Sequence, residues 1–129
     1  MIELFIDGAS AGNPGKSGAG IFIKNAQDSK KHAIPLGVLN NHEAEYEALI
    51  HGLTLCLPFK NQIISCKTDS QAVLGAVEKR FIRNKQYAHY LDKMIPLLDQ
   101  YELFFIKWIS SKENKVADAL AREAVQLNK

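Results

Sequence analysis

Four carboxylic acids in this sequence sit where an ionised group is costly unless something compensates it. Asp7 ends the apolar run Ile2, Leu4, Phe5, Ile6 and opens the glycine-rich stretch DGASAGNPGKSGAG at 7–20. Asp69 ends a second run, IISCKTD. Glu45 heads a stripe at helical spacing through Ala48, Leu49, Gly52, Leu53 and Cys56, so a charge leads a face otherwise made for packing. Asp118 repeats the pattern beside Ala117, Leu120, Ala121 and Ala124. Each acid also has a local explanation. Asp7 can open an Asx turn, Asp69 before Ser70 can belong to a helix entry, and Glu45 and Asp118 suit the positive end of a helix dipole. Arg122, four residues after Asp118, can pair with it, whereas Glu45 has no lysine or arginine at three or four residues in either direction. Carboxylates gathered without bases suit hard cations: Mg²⁺ takes oxygen ligands, keeps several waters and commonly binds substrate phosphates. Two such ions roughly 4 Å apart can activate a water and stabilise the leaving oxygen of a phosphodiester. That would be nuclease chemistry, with Mg²⁺, or Mn²⁺ in its place, as the expected metal.

Periodicity outlines the elements that must position these acids. Residues 2–7 and 18–24 read as strands joined by a Gly/Pro turn, and a third strand at 31–37 completes an antiparallel meander. Asn40 or Asn41 caps a helix over 43–57, with Glu43 three residues after Asn40 as in a capping box, and Pro58 ends it. Residues 62–68 form a short strand, and Ser70 caps a helix over 71–79. Residues 84–99 read as a helix interrupted near Pro96. Leu103, Phe104, Phe105, Ile106 and Trp108 read as a buried strand, and 114–127 as a last helix capped by Asn114. Strands first, then helices alternating with strands, predict an α/β fold with a mixed sheet. Asp7 and Asp69 fall at the C-terminal ends of strands, where such sheets form ligand crevices.

With 129 residues, 47% of them hydrophobic, the chain is expected to form one domain over 1–129. Sixteen Lys and Arg against fourteen Asp and Glu leave a formal charge of +2, too small to indicate nucleic acid by itself. No stretch is apolar enough for a membrane span and MIELFID lacks the features of a signal peptide, so a cytoplasmic protein without a membrane partner is expected. Cys56 and Cys66 read as small buried hydrophobes. His32, His42, His51 and His89 show no ligand spacing, and of these only His42 lies near the acids. Lys79, Arg80, Arg83 and Lys85, interleaved with Phe81, read as a local phosphate-contacting surface. GKS at 15–17 is not a P-loop, because Ser10 stands where a glycine is required and GAGIFIK is strand-like, so no nucleoside triphosphate is expected.

Four blocks, DGASAGNPGKSGAG at 7–20, NHEAEYEALIHGL at 41–53, TDSQ at 68–71 and WISSKENKVADALA at 108–121, resemble those of type 1 ribonuclease H. They follow the family's order and span nearly the whole chain. The resemblance implies a five-stranded mixed sheet, with strands 1–3 as an antiparallel meander and strands 4 and 5 parallel, flanked by helices. It implies endonucleolytic hydrolysis of the RNA strand of RNA/DNA hybrids, leaving 5′-phosphate and 3′-hydroxyl ends. By the same match Asp7, Glu45, Asp69 and Asp118 are the catalytic, metal-binding acids, holding two Mg²⁺ ions in the substrate complex. Glu43 and Glu47 fall outside that role. Gly8, Asn13, Asn41 and Gln71 match substrate-contacting positions, and Arg80, Arg83 and Lys85 join them as candidate phosphate contacts. Asn114 matches an asparagine of the last block, where helix capping is an equally good explanation. A monomer is the expected state.

Three departures separate the chain from the family pattern. Asn40, Asn41 and His42 stand where TNN is frequent. The loop ISSKEN lacks the histidine many members carry before the last helix, which leaves Glu113 or Lys112 as substitutes or slow turnover as the outcome. The short EKRFIRNK at 78–85 replaces a larger basic protrusion, and the sole tryptophan is Trp108. These departures admit an alternative, a same-fold protein that binds nucleic acid or a partner with little or no cleavage, although four mutually repelling acids argue against it. An exonuclease of the same fold is a third reading, disfavoured by the GNPG and NHEAEY blocks.

Overall fold

A computed structural model describes residues 1–129. β1 (Ile2–Ser10), β2 (Gly15–Lys24) and β3 (Ser29–Leu39) form the antiparallel meander. β4 (Ile63–Thr68) runs parallel to β1, and β5 (Leu103–Trp108) parallel to β4, giving the order β3-β2-β1-β4-β5. The helices are α1 (Asn41–Leu55), α2 (Gln71–Lys79), α3 (Leu91–Leu98) and α4 (Lys115–Gln126).

Alternation along β1 divides the molecule into two layers around the sheet. Ile2, Leu4 and Ile6 are buried toward α1, together with Ile21, Ile64 and Cys66 and the helix residues Leu49 and Leu53. Glu3, Phe5 and Asp7 point to the other face, and α4 covers part of it by packing on β2, β1 and β3. The contact is close because Gly18 and Gly20 present no side chain to Ala117, Ala121 and Ala124. Asp7 lies opposite Gly20, so the same approach brings α4 beside Asp7.

Several expectations need correction. Residues 84–99 are not one helix: the Asn84 side chain accepts from the Gln86 amide and the Tyr87 amide bonds the Asn84 carbonyl, a local turn that competes with helix. α3 begins only at Leu91 and runs through Pro96 without a break. Proline there removes the bond to Asp92, a residue on the exposed side of the first turn. β5 is not buried. It is an edge strand: Leu103 and Phe105 are exposed because no element covers their face, while Trp108, on the opposite face with Phe104 and Ile106, is exposed at the end of the strand.

At the start of α1 the capping box is complete. The Asn40 side chain accepts from the Glu43 amide at 2.9 Å, and the Glu43 carboxylate accepts from the Asn40 amide at 3.0 Å. Asn40 also donates to the Tyr87 hydroxyl at 3.0 Å. Asn40→Ala is expected to lower stability by about 1–2 kcal/mol, measured by urea unfolding, since it removes a cap and leaves the Tyr87 hydroxyl without its donor.

Candidate active site

Backbone pairing draws the first two acids together. In the parallel β1–β4 ladder Ile6 lies opposite Thr68, so the residues that follow, Asp7 and Asp69, emerge side by side at one end of the sheet. The turn after β4 is held by local bonds: the Ser70 amide donates to Thr68 Oγ1 at 3.1 Å, and Ser70 Oγ caps α2 by accepting from the Val73 amide at 3.1 Å. Trp108 Nε1 donates to the Asp69 carbonyl at 3.1 Å from the neighbouring strand.

Glu45 arrives through a missing side chain. A Cβ on Gly8 would lie 2.3 Å from the Ala44 carbonyl oxygen and 2.6 Å from the Glu45 amide nitrogen. Only glycine lets the first turn of α1 rest on β1 there. Asp7, Glu45 and Asp69 consequently line one small hollow with Gly8, Thr68 and Ser70. Asp118, in the first turn of α4, completes the group: α4 seats on Gly20, which lies opposite Asp7, and the Asp118 carboxylate contributes to raising Asp7.

The electrostatics follow from this crowding. Burial, then the charges of Asp69, Asp118 and Glu45, push Asp7 up to about 8. Glu45 is raised as well, chiefly by burial, with the Ser70 hydroxyl and His42 opposing. No lysine or arginine pairs with Asp7, Glu45 or Asp69. His42 Nδ1 stands 3.4 Å from Glu45 Oε1, and Arg122 pairs with Asp118 from an exposed position where such a pair is worth little.

The donor set is all oxygen and lacks compensating base at its centre, which fits a hard divalent cation. No three of these side chains are gathered into a finished metal cage. Uncompensated carboxylates repel one another, and Mg²⁺ in any case completes its shell with water and substrate oxygens.

Asn114 occupies the N-cap position of α4, as expected, but its side chain makes no capping bond to the helix. Its Nδ2 instead donates to the Ile6 carbonyl at 2.9 Å and reaches Asp69 Oδ2 at 3.5 Å. Both partners are acceptors, which fixes the orientation of the amide and leaves its buried Oδ1 without a donor. The residue ties the β1 end, Asp69 and the start of α4 together. The sequence signals for it were its helix-cap position and its match to an asparagine of the last block.

The remaining candidates divide. Asn41 and Gln71 are the exposed first residues of α1 and α2, and Asn13 lies in the β1–β2 turn, which Ser10 Oγ anchors to the Leu39 carbonyl at 2.9 Å. Gln71 and Arg83 line a common groove with Tyr46, Lys79 and Phe81. Arg80 is set apart: it ends α2 in the left-handed region, binds Asp99 at 2.7 Å, and lines a different hollow with Leu98 and Phe104. Lys85 is exposed in the turn after it. Glu113 is already engaged, accepting from the Ser110 hydroxyl at 3.2 Å.

The sheet order and the acids at its end define the class, a ribonuclease H-like fold. Residues 5–124 match the family described as reverse transcriptase-like, and the chain belongs to that family. It is 36% identical to "Putative hydrolase EbsB" of Enterococcus faecalis over 98% of this chain and 95% of that one. It is 30% identical to ribonuclease HI of Halobacterium salinarum over 96% of this chain and 64% of the relative. The crystal structure of RNase H1 from Halobacterium salinarum superposes with a TM-score of 0.88 at 28% identity, covering 97% of both chains. LC11-RNase H1, solved in complex with RNA/DNA hybrid, superposes equally well at 22% identity over 98% of this chain and 97% of that one, a likeness of fold. The type 1 ribonuclease H resemblance therefore holds in sequence and in fold.

Proposed function

We propose that this chain is a metal-dependent endoribonuclease that hydrolyses the RNA strand of RNA/DNA hybrids to 5′-phosphate and 3′-hydroxyl ends. The observation that carries the reading is the half-buried Asp7 carboxyl, which shares one hollow with Glu45 and Asp69 and has no lysine or arginine paired to it. Asp7, Glu45, Asp69 and Asp118 would hold two Mg²⁺ or Mn²⁺ ions. Bound there, such ions lower the pKa of an attacking water and stabilise the departing 3′ oxygen.

The chain's own residues prepare that site. Gly8 keeps backbone, rather than side chain, next to Asp7, and Asn114 holds Asp69 against the end of β1. Asn13, Asn41 and Gln71 offer amides to 2′-hydroxyls and minor-groove edges, while Arg83 and Lys85 meet phosphate. Of the two substitutes for the absent loop histidine, Glu113 bonds Ser110, which leaves Lys112 or slow turnover. All four acids come from one chain, so a monomer suffices.

Cleavage of a labelled hybrid with Mg²⁺ or Mn²⁺, run beside duplex RNA and duplex DNA, tests the reading. Silence on the hybrid at high enzyme with either metal would favour a binding module, and digestion of DNA from an end would favour an exonuclease. Among the substrate contacts, Arg83→Ala is expected to raise KM by about 5- to 10-fold with kcat little changed. Arg80→Ala should leave both within about 2-fold, as its guanidinium serves Asp99. Steady-state kinetics on one hybrid distinguishes the two arginines.

A further inference from the structure

α4 covers only part of the sheet face that carries Asp7. In the next row down, the register sets Lys31, Phe22, Phe5, Lys67 and Lys107 side by side across all five strands. With strands about 4.8 Å apart, that row spans roughly 19 Å. The row beyond it holds Lys24, Glu3, Ser65 and Phe105, and Ile63 and Leu103 lie further on. Phe105 is 56% exposed and Leu103 49%.

Cations and rings interleave on this face. Lys24 Nζ and Lys31 Nζ each stand 5.9 Å from the centre of the Phe22 ring, and Lys67 Nζ stands 5.4 Å from that of Phe5. The Phe5 and Phe22 rings are 5.7 Å apart. The one acid in these rows is Glu3, already bound to Lys67 at 3.0 Å, so Lys24, Lys31 and Lys107 have no carboxylate partner. A protein-binding patch concentrates apolar area at its centre and is depleted in lysine. Here the ammonium groups sit among the rings, the arrangement in which aromatic faces stack bases and lysines take phosphates.

We propose that this open sheet face binds single-stranded nucleic acid, on the order of four nucleotides at once, with bases on Phe5, Phe22 and Phe105 and phosphates on Lys24, Lys31 and Lys107. The site adjoins the acids but does not depend on cleavage, so it stands whether or not the activity proposed above is found.

The test is fluorescence anisotropy of labelled 12-nucleotide oligo(U) and oligo(dT) with the full chain in EDTA, across a salt series. Binding is expected with a slope of log K against log salt of about −2, three phosphates at roughly 0.7 each. Lys31→Glu with Lys107→Glu is expected to weaken binding by about 30-fold or more and to flatten the slope. Phe105→Ala should weaken it by about 5-fold or more with the melting temperature unchanged, since the ring is exposed. These variants are expected to cleave a blunt hybrid like the parent chain, which separates this surface from the acid site. Equal binding by the parent and the double variant would overturn the proposal. So would a dimer in sedimentation that Phe105→Ala dissolves, because it would assign the face to a second copy of the chain.

Discussion

Asp7→Asn is expected to reduce hybrid cleavage by a factor on the order of 10³ or more while making the metal-free protein more stable. The stability gain has a defined pH window. An aspartate in the unfolded chain ionises near pH 4, whereas burial and three neighbouring acids hold the folded group up to about 8. Below about pH 4 both states are protonated and the raised pKa costs nothing. As pH rises from about 4 to 8 the unfolded chain releases a proton the folded chain retains, so the parent progressively loses stability, and above about 8 the loss levels off. Asparagine removes the group and with it that slope. The gain near pH 8 should be on the order of 2 kcal/mol, because four coupled acids share the repulsion.

Urea unfolding at pH 5 and pH 8 in EDTA, for parent and variant, measures this directly. Adding Mg²⁺ should then raise the parent's melting temperature and narrow the gap, since a cation that binds only the folded state adds stability by mass action. An active variant, an unfolded variant, or a stability difference indifferent to pH would each contradict the assignment of Asp7.

The second large effect lies at a glycine. Gly20→Ala places a Cβ 2.0 Å from the Ala117 carbonyl oxygen, 2.6 Å from the Ala121 amide nitrogen and 2.9 Å from Leu120 Cβ. The first two are backbone atoms of α4, so relief requires the helix itself to lift from β2. A loss of about 3–5 kcal/mol is expected, and activity should fall further than unfolding alone explains, because α4 carries Asp118. Gly75→Ala is the matched control. That glycine lies inside α2 with nothing within 4 Å of an added Cβ, and alanine there should stabilise by about 0.5–1 kcal/mol. Chemical denaturation of both variants, with cleavage measured at a temperature where each remains folded, checks the pair. A stable Gly20→Ala protein would mean that α4 is not seated as described.

Much of the site was legible before any folding. Asp69 could be placed at a strand end because its apolar run stops there, whereas β1 runs on past Asp7 to Ser10 in its pairing with β2; α2 was read with its observed bounds because Ser70 announces a cap. The Asn40–Glu43 box likewise marked the start of α1, to within two residues of the helix's first member. These are local signals: each rests on what a residue does to the chain within a turn or a strand of itself.

What escaped the sequence depends on distance through space. Leu103, Phe105 and Trp108 have the composition of a buried strand, yet strand burial is decided by what lies on either side, and β5 is an edge with one face uncovered. Asn114 takes the N-cap position as read, but its side chain is turned to donate from Nδ2 to the Ile6 carbonyl, 108 residues away, instead of accepting from the first turn of α4. The pairing of Arg80 with Asp99 likewise follows from the left-handed turn that ends α2, which no local pattern announced. Periodicity and caps thus determined which acids end up near one edge of the sheet. Only the packed molecule decided that the Asp7 carboxyl is held well above the usual carboxylate range, since that depends on burial and on charges brought in from Asp69, Asp118 and Glu45, and Coulomb energy is a function of separation in space, not of separation along the chain.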